Sequence, residues 1–163
     1  MNHFNPEARI APTVLATDLD GTLIPLPDSP EHPSDLKALK RALSKSKAKL
    51  VFATGRHYES VVEAMQQYDL PSPEWIICDV GSAIYQRIGE RFEVFTAYEA
   101  HLEQSSGGVD RQAVEEALST VEGLELQPPD HQQRFKISYQ SAADTVTRLV
   151  DDIGQRLKQA QLP

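Results

Sequence analysis

The sequence predicts an α/β fold, a parallel sheet with helical crossovers followed by a smaller α+β lobe. Two observations carry this expectation. Short apolar runs, TVLATDL (13–19), KLVFATGR (49–56) and WIICDV (75–80), alternate with segments of helical period, the pattern of parallel strands joined by right-handed crossovers. From Gly81 that rhythm gives way to mixed strands and helices, which places a core over residues 1–95 and a second lobe over 96–163.

Residues 13–19 read as a buried strand that stops at Gly21. After the Pro-rich loop PLPDSPEHP (25–33), Ser34 is placed to cap a helix carrying Leu36, Leu39 and Leu43. The second strand ends in Thr54-Gly55 and leads to a helix with Val61, Val62, Met65 and Tyr68 along one face. A break at LPSP (70–73) precedes the third strand, where Cys78 has the apolar setting of a core thiol. SAIYQRIGERFEVF (82–95) alternates around Gly89 and predicts an antiparallel hairpin. SSGG (105–108) reads as a loop before a helix from about Asp110, with Val114, Leu118 and Val121 inward. RFKISYQ (134–140) alternates as a half-buried strand, with Phe135, Ile137 and Tyr139 on one face and Lys136 and Ser138 on the other. SAAD (141–144) has the form of a capping box for a last helix that turns Val146, Leu149, Val150, Ile153 and Leu157 inward and leaves Asp151 and Asp152 as solvated acids.

The 163 residues suffice for one ordinary domain, or a small domain with an appendage. With 24 acidic against 16 basic residues, a net charge of −8, and no Lys/Arg run to follow a phosphate backbone, nucleic acid is excluded as a partner. The opening MNHFNPEARIAP lacks the basic and apolar regions of a signal peptide, and no apolar run reaches the ~18 residues of a bilayer span. A cytoplasmic protein without membrane contact is expected. The single cysteine leaves no intrachain disulfide.

The chemistry concentrates in VLATDLDGTLI (14–24). Residues two apart on a strand share a face, so Asp18 and Asp20 look the same way while Leu19 turns into packing. Two unit charges about 5 Å apart at an effective dielectric near 20 repel by about 3 kcal/mol. A hard divalent cation, Mg²⁺ by its oxygen ligands, removes that penalty, with Asp18 and Asp20 as its ligands. Gly21 allows a tight turn, and the N–H groups around Gly21 and Thr22 are candidates to cradle an anion. Together these parts describe phosphoryl transfer: Asp18 attacks phosphorus, Asp20 handles the proton, and Thr54 with the Gly55 N–H bonds the phosphoryl oxygens from the next strand end. Arg56 is a candidate to touch phosphate or to pair with an acid such as Glu59, and His57 reads as a surface or capping residue.

DLDGTLI with VFATGR some thirty residues on resembles the haloacid-dehalogenase-like (HAD) phosphatases, whose first motif reads Asp-x-Asp-Gly-Thr-Leu and whose second is a Ser or Thr at the end of the following strand. ATGR (53–56), VGSAIY (80–85) and KISY (136–139) resemble the sucrose-phosphate phosphatase branch over nearly the whole chain from Thr13. The resemblance implies a Rossmann-like HAD core, here partial, with a parallel sheet and a smaller α+β (C2-type) cap lobe. It implies Mg²⁺-dependent hydrolysis of a small-molecule sugar phosphate such as sucrose-6-phosphate, with Asp18 as nucleophile, Asp20 as acid/base, Thr54 on phosphate and Lys136 facing the sugar. Ala83 departs from the branch, which often carries an acid within that segment.

The family also has a lysine and an acidic Gly-Asp loop after the cap, and neither motif is found before KQAQLP. The chain is therefore expected to be the N-terminal part of such a phosphatase, weak alone, with its nucleophile strand at an open sheet edge. That edge invites a complementing C-terminal chain or a second copy. A non-catalytic sugar-phosphate-binding or regulatory fragment is the alternative. A sugar-nucleotide transferase would carry its D-x-D deeper in the chain, and a phosphoacceptor domain would place its aspartate on a later strand.

Overall fold

The computed structural model describes residues 13–26, 32–107 and 110–162. The opening segment 1–12, residues 27–31 of the Pro-rich loop and Gly108 of the SSGG loop lie outside them. The chain divides into two compact units, Met1–Phe95 and Thr96–Pro163.

In the first unit, β1 (Val14–Thr17), β2 (Lys49–Ala53) and β3 (Trp75–Cys78) are parallel, joined through α1 (His32–Lys45) and α2 (Tyr58–Gln67). β4 (Ala83–Ile88) turns back antiparallel on β3, and β5 (Arg91–Val94) pairs antiparallel with β4. The strand order is β1-β2-β3-β4-β5. The alternation around Gly89 thus forms the expected hairpin, with Ile88 opposite Arg91 and Gly89 at φ 62 opening a two-residue turn. Among the described residues β1 pairs only with β2, so the strand leading to Asp18 is an edge, and Val14 is 52% exposed.

Leu50 and Phe52 of β2 with Ile76 and Cys78 of β3 form the buried centre, joined by Val61 and Ala64 of α2 and by Leu19, Leu23 and Ile24 from the turn after β1. Leu36, Leu39 and Leu43 of α1 pack against this cluster, as their spacing predicts. Ser34 is not the cap of that helix. α1 already includes His32 and Pro33, because proline in a first helical turn gives up no intrahelical donor.

The second unit holds α3 (Thr96–Ser106), α4 (Arg111–Leu118), α5 (Val146–Gln159) and a two-stranded antiparallel pair, β6 (Glu125–Leu126) with β7 (Tyr139–Gln140). Asp110 caps α4 by accepting from the Gln112 N–H at 2.9 Å. Its core is Leu118, Val121 and Leu149, flanked by Val114, Leu124, Tyr139, Ile153 and Leu157. Four readings of the sequence are corrected here. α3 has no counterpart in the sequence reading, and none of its residues is buried. The strand expected over 134–140 shrinks to Tyr139–Gln140, because Gln133 and Lys136 exchange backbone hydrogen bonds (3.0 and 3.2 Å) and turn the chain at Arg134-Phe135. The capping box at 141–144 does not cap α5: Thr145 is the N-cap, and its hydroxyl and N–H both donate to the Ala142 carbonyl. Val146 and Val150, expected inward, are 47% and 62% exposed. Asp152 pairs with Arg156 one helical turn on, at 2.9 Å. No helix among the described residues is long and apolar enough to cross a membrane.

Candidate active site

β1 runs in register with β2 up to Thr17 opposite Phe52, and β2 with β3 up to Ala53 opposite Ile77. Asp18 and Thr54 therefore follow directly at the C-terminal ends of adjacent parallel strands, where α/β sheets gather ligands. Leu19 is fully buried while Asp18 and Asp20 on either side are exposed, but the strand expected over 13–19 ends at Thr17, so these three residues belong to the turn that follows β1. The chain then folds sharply back. Ile24 and Thr22 N–H groups both donate to the Leu19 carbonyl (2.7 and 3.1 Å), and the Gly21 N–H donates to the Ile24 carbonyl (3.0 Å). Gly21 takes φ 72, a left-handed value for which glycine has no Cβ penalty. Burial of Leu19, Leu23 and Ile24 anchors this turn and fixes the two acids beside it.

The turn's hydrogen bonds correct one expectation. The amides of Gly21 and Thr22 are spent inside the turn, so they do not form the anion cradle read from the sequence. The N–H groups of Asp20 and Gly55 have no acceptor among the described residues. Adding a Cβ at Gly55 would meet open space, which leaves its backbone approachable. Thr54 is buried, and its hydroxyl oxygen accepts from the Arg56 N–H at 3.3 Å, which leaves the hydroxyl proton to donate.

Asp18 Oδ1 accepts from the Leu19 N–H at 2.7 Å. Its second oxygen accepts nothing among the described residues. Asp20 is placed differently. Arg56 Nε donates to its Oδ2 at 2.8 Å and Nη2 to its Oδ1 at 2.7 Å, a two-pronged pair that occupies both carboxylate oxygens. The Arg56 hydrogen bonds hold the Asp20 carboxyl below the usual carboxylate range, with partial burial opposing them. The acid that Arg56 meets is thus Asp20 rather than Glu59. Arg56 Nη1 also donates to Ser60 Oγ at 3.0 Å, a partner that sequence reading missed because no local pattern marks it. His57 stands at the N-terminus of α2 without a side-chain cap bond.

A further feature at the third strand end also escaped the sequence reading. Asp79, Val80 and Gly81 take φ values of 53, 57 and 86, three left-handed residues in succession. Asp79 is buried, and its N–H donates to the Arg56 carbonyl at 2.8 Å, while Val80 is 79% exposed. VGSAIY was legible as a motif, but a motif does not announce backbone conformation. Lys136 lies in the second unit on the tight Gln133–Lys136 turn, and its carbonyl accepts from Arg111 Nη2 at 3.2 Å.

The donor chemistry suits Mg²⁺ in part. The Asp18 carboxylate and the Asp20 carbonyl are hard oxygen donors at one strand end, and Mg²⁺ takes one or two carboxylates with waters and phosphate. The Asp20 carboxylate itself is paired with Arg56. No three His, Cys, Asp or Glu side chains converge among the described residues.

Comparisons with known proteins agree with this architecture. The chain is 31% identical over 146 residues to a putative HAD-like hydrolase of Nitrosococcus oceani, covering 89% of this chain and 39% of that protein. It is 30% identical over 135 residues to the mannosylfructose-phosphate phosphatase of Agrobacterium fabrum, covering 77% of this chain and 48% of that one. With sucrose-phosphatase 1 of Nicotiana tabacum it shares 29% identity over 164 residues, 99% of this chain and 36% of the relative. The chain thus spans less than half the length of these curated relatives. The solved Synechocystis sucrose-phosphatase, in complex with sucrose and phosphate, superposes with a TM-score of 0.69 at 28% identity, over 92% of this chain and 57% of that one. Residues 11–163 match the sequence model of the Sucrose-6F-phosphate phosphohydrolase family, and with the paired acids at the end of β1 and the threonine at the end of β2, the chain belongs to that HAD-like family.

Proposed function

We propose that this chain carries the nucleophile half of a Mg²⁺-dependent phosphatase that cleaves a sugar phosphate of the sucrose-6-phosphate type. The observation that carries this reading is the placement of Asp18 and Asp20 on either side of the buried Leu19, beside Thr54 on the adjacent parallel strand. The second oxygen of Asp18 attacks phosphorus, and the bond from phosphorus to the sugar oxygen breaks as Asp20 gives that oxygen a proton. Water then attacks the aspartyl-phosphate, Asp20 takes its proton, and inorganic phosphate leaves. The Thr54 hydroxyl and the N–H groups of Gly55 and Asp20 hold the phosphoryl oxygens, in place of the Gly21 and Thr22 amides. Mg²⁺ held by the Asp18 carboxylate and the Asp20 carbonyl would neutralise phosphoryl charge. Lys136 is the proposed sugar-reading residue of the second unit. The relatives named for sucrose phosphate and mannosylfructose phosphate support a phosphorylated disaccharide as substrate class.

A second reading, a sugar-phosphate-binding or regulatory module, draws on the engagement of both Asp20 oxygens by Arg56. The open edge of β1 supports pairing with a complementing strand or a second copy. The test is phosphate release from sucrose-6-phosphate and a panel of sugar phosphates, with Mg²⁺ and with EDTA, for the protein and Asp18→Asn. Turnover that needs both Mg²⁺ and Asp18 supports the enzyme. A folded protein that binds but does not exceed the variant supports the module.

A further inference from the structure

We propose that Arg56 is a shared clamp: it holds Asp20 until an oxyanion enters the site, then turns its guanidinium to that oxyanion and frees Asp20. The proposal deepens the phosphatase reading and rests on it for the role of Asp20.

The first argument is occupancy. With Nε on Oδ2 and Nη2 on Oδ1, the fork of Arg56 takes one lone pair on each Asp20 oxygen. A reacting atom must share those oxygens with the guanidinium while the pair is closed, and has both to itself once it opens.

Charge supplies the second argument. Across the strand-end segments 18–22, 54–57 and 79–82, Arg56 is the sole Lys or Arg, against the carboxylates of Asp18, Asp20 and Asp79. Among the charged side chains of these segments only this guanidinium attracts a phosphate monoester, and it suits phosphate as well as it suits carboxylate.

Anchoring and exposure make the exchange feasible. Arg56 stays fixed independently of Asp20: Nη1 donates to Ser60 at 3.0 Å, its N–H to Thr54 Oγ1 at 3.3 Å, and its carbonyl accepts from Asp79 at 2.8 Å. Release of Asp20 therefore leaves the Arg56 backbone anchored next to Thr54, with Nη1 still on Ser60. The side chains of Arg56 and Asp20 are 30% and 55% exposed, and an ion pair in that setting is weak enough to be exchanged for a doubly charged phosphate.

The test is a double-mutant cycle on binding of inorganic phosphate, measured by calorimetry in EDTA, with the protein, Asp20→Asn, Arg56→Ala and the double variant. The clamp predicts that Asp20→Asn tightens phosphate binding about three- to fivefold, the range a half-exposed ion pair allows. Arg56→Ala weakens binding by about tenfold or more, the loss expected for a charge-assisted fork. In the Arg56→Ala background the gain from Asp20→Asn falls to less than half. An equal gain in both backgrounds means Asp20 acts through net charge alone and overturns the clamp, as does unchanged affinity in Arg56→Ala or no phosphate binding by any form. Arg56→Lys, which keeps the charge and the fold without the fork, should bind with intermediate affinity, and wild-type affinity there also overturns the proposal. Turnover is scored separately. Coupling without sugar-phosphate hydrolysis leaves the clamp standing as a property of the nucleophile half, whereas Asp18-dependent hydrolysis without coupling upholds the phosphatase reading and overturns the clamp.

Discussion

The ring of Tyr58, the first residue of α2, lies on the ring of Tyr85 in β4, with centroids 4.0 Å apart and planes inclined by 15°. Phe92 of β5 meets Tyr58 edge-on at 6.4 Å. This aromatic stack ties the helix that follows Thr54 and Arg56 to the antiparallel side of the sheet. An offset aromatic pair contributes about 1 kcal/mol beyond its buried area. Tyr58→Ala is therefore expected to cost about 2–3 kcal/mol with its lost packing, and Tyr58→Phe less than about 0.5 kcal/mol. Urea unfolding with unchanged slope and a lowered midpoint measures both.

The same stack sets an alkaline limit. Burial, aided by nearby Cys78, Glu59 and Asp79, pushes the Tyr85 hydroxyl up to about 12, and burial also raises Tyr58. An unfolded tyrosine ionises near 10, so between about 10 and 12 the unfolded chain has shed a proton that the folded chain keeps. The stabilisation is complete below about 10 and is lost as pH rises toward 12. Stability measured from pH 9 to pH 12 should fall across this window, with a visibly shallower fall for Tyr85→Phe.

Leu19 links stability to the site. It is fully buried between two exposed carboxylates, and its carbonyl accepts from both Thr22 and Ile24. Leu19→Ala leaves a cavity under the turn, at a cost of about 3 kcal/mol. The turn then loses its anchor, and a misplaced Asp18 or Asp20 lowers phosphate release by about 100-fold if the phosphatase reading holds, because alignment errors near 1 Å have that effect. Thermal unfolding and phosphate release measured on one preparation separate the two effects.

Particular residues show what was legible in the sequence. The Thr-Gly end of the second strand appears where expected, and Leu19 is buried between the two acids as read, although β1 stops at Thr17 and the alternation falls in the turn after it. The Asp20–Arg56 pair spans 36 residues and becomes visible only once β1 and β2 are known to lie side by side. Periodicity also identifies apolar faces without saying what covers them. Leu149, Ile153 and Leu157 meet the core of the second unit, while Val146 and Val150 on the same helix remain exposed. α3 escaped because it buries none of its residues, and so carries no stripe for a pattern to reveal. The spent amides of Gly21 and Thr22 were hidden because DGT fixes a turn but not the partners of its N–H groups.

Val80 offers the last prediction. A β-branched residue at φ 57 carries a conformational cost of about 1–2 kcal/mol, and at 79% exposure little packing repays it. Val80→Gly removes that cost but gives the unfolded chain more freedom, worth about 0.4–1 kcal/mol in the opposite direction. The balance is a gain of up to about 1.6 kcal/mol, from the difference of these two effects. Gly81→Ala is expected to have the opposite sign, since Gly81 stands at φ 86 and an added Cβ would meet open space, which makes its cost purely conformational. Denaturant midpoints for the two variants measure both signs. A destabilised Val80→Gly would mean that the exposed side chain makes contacts worth more than its strain.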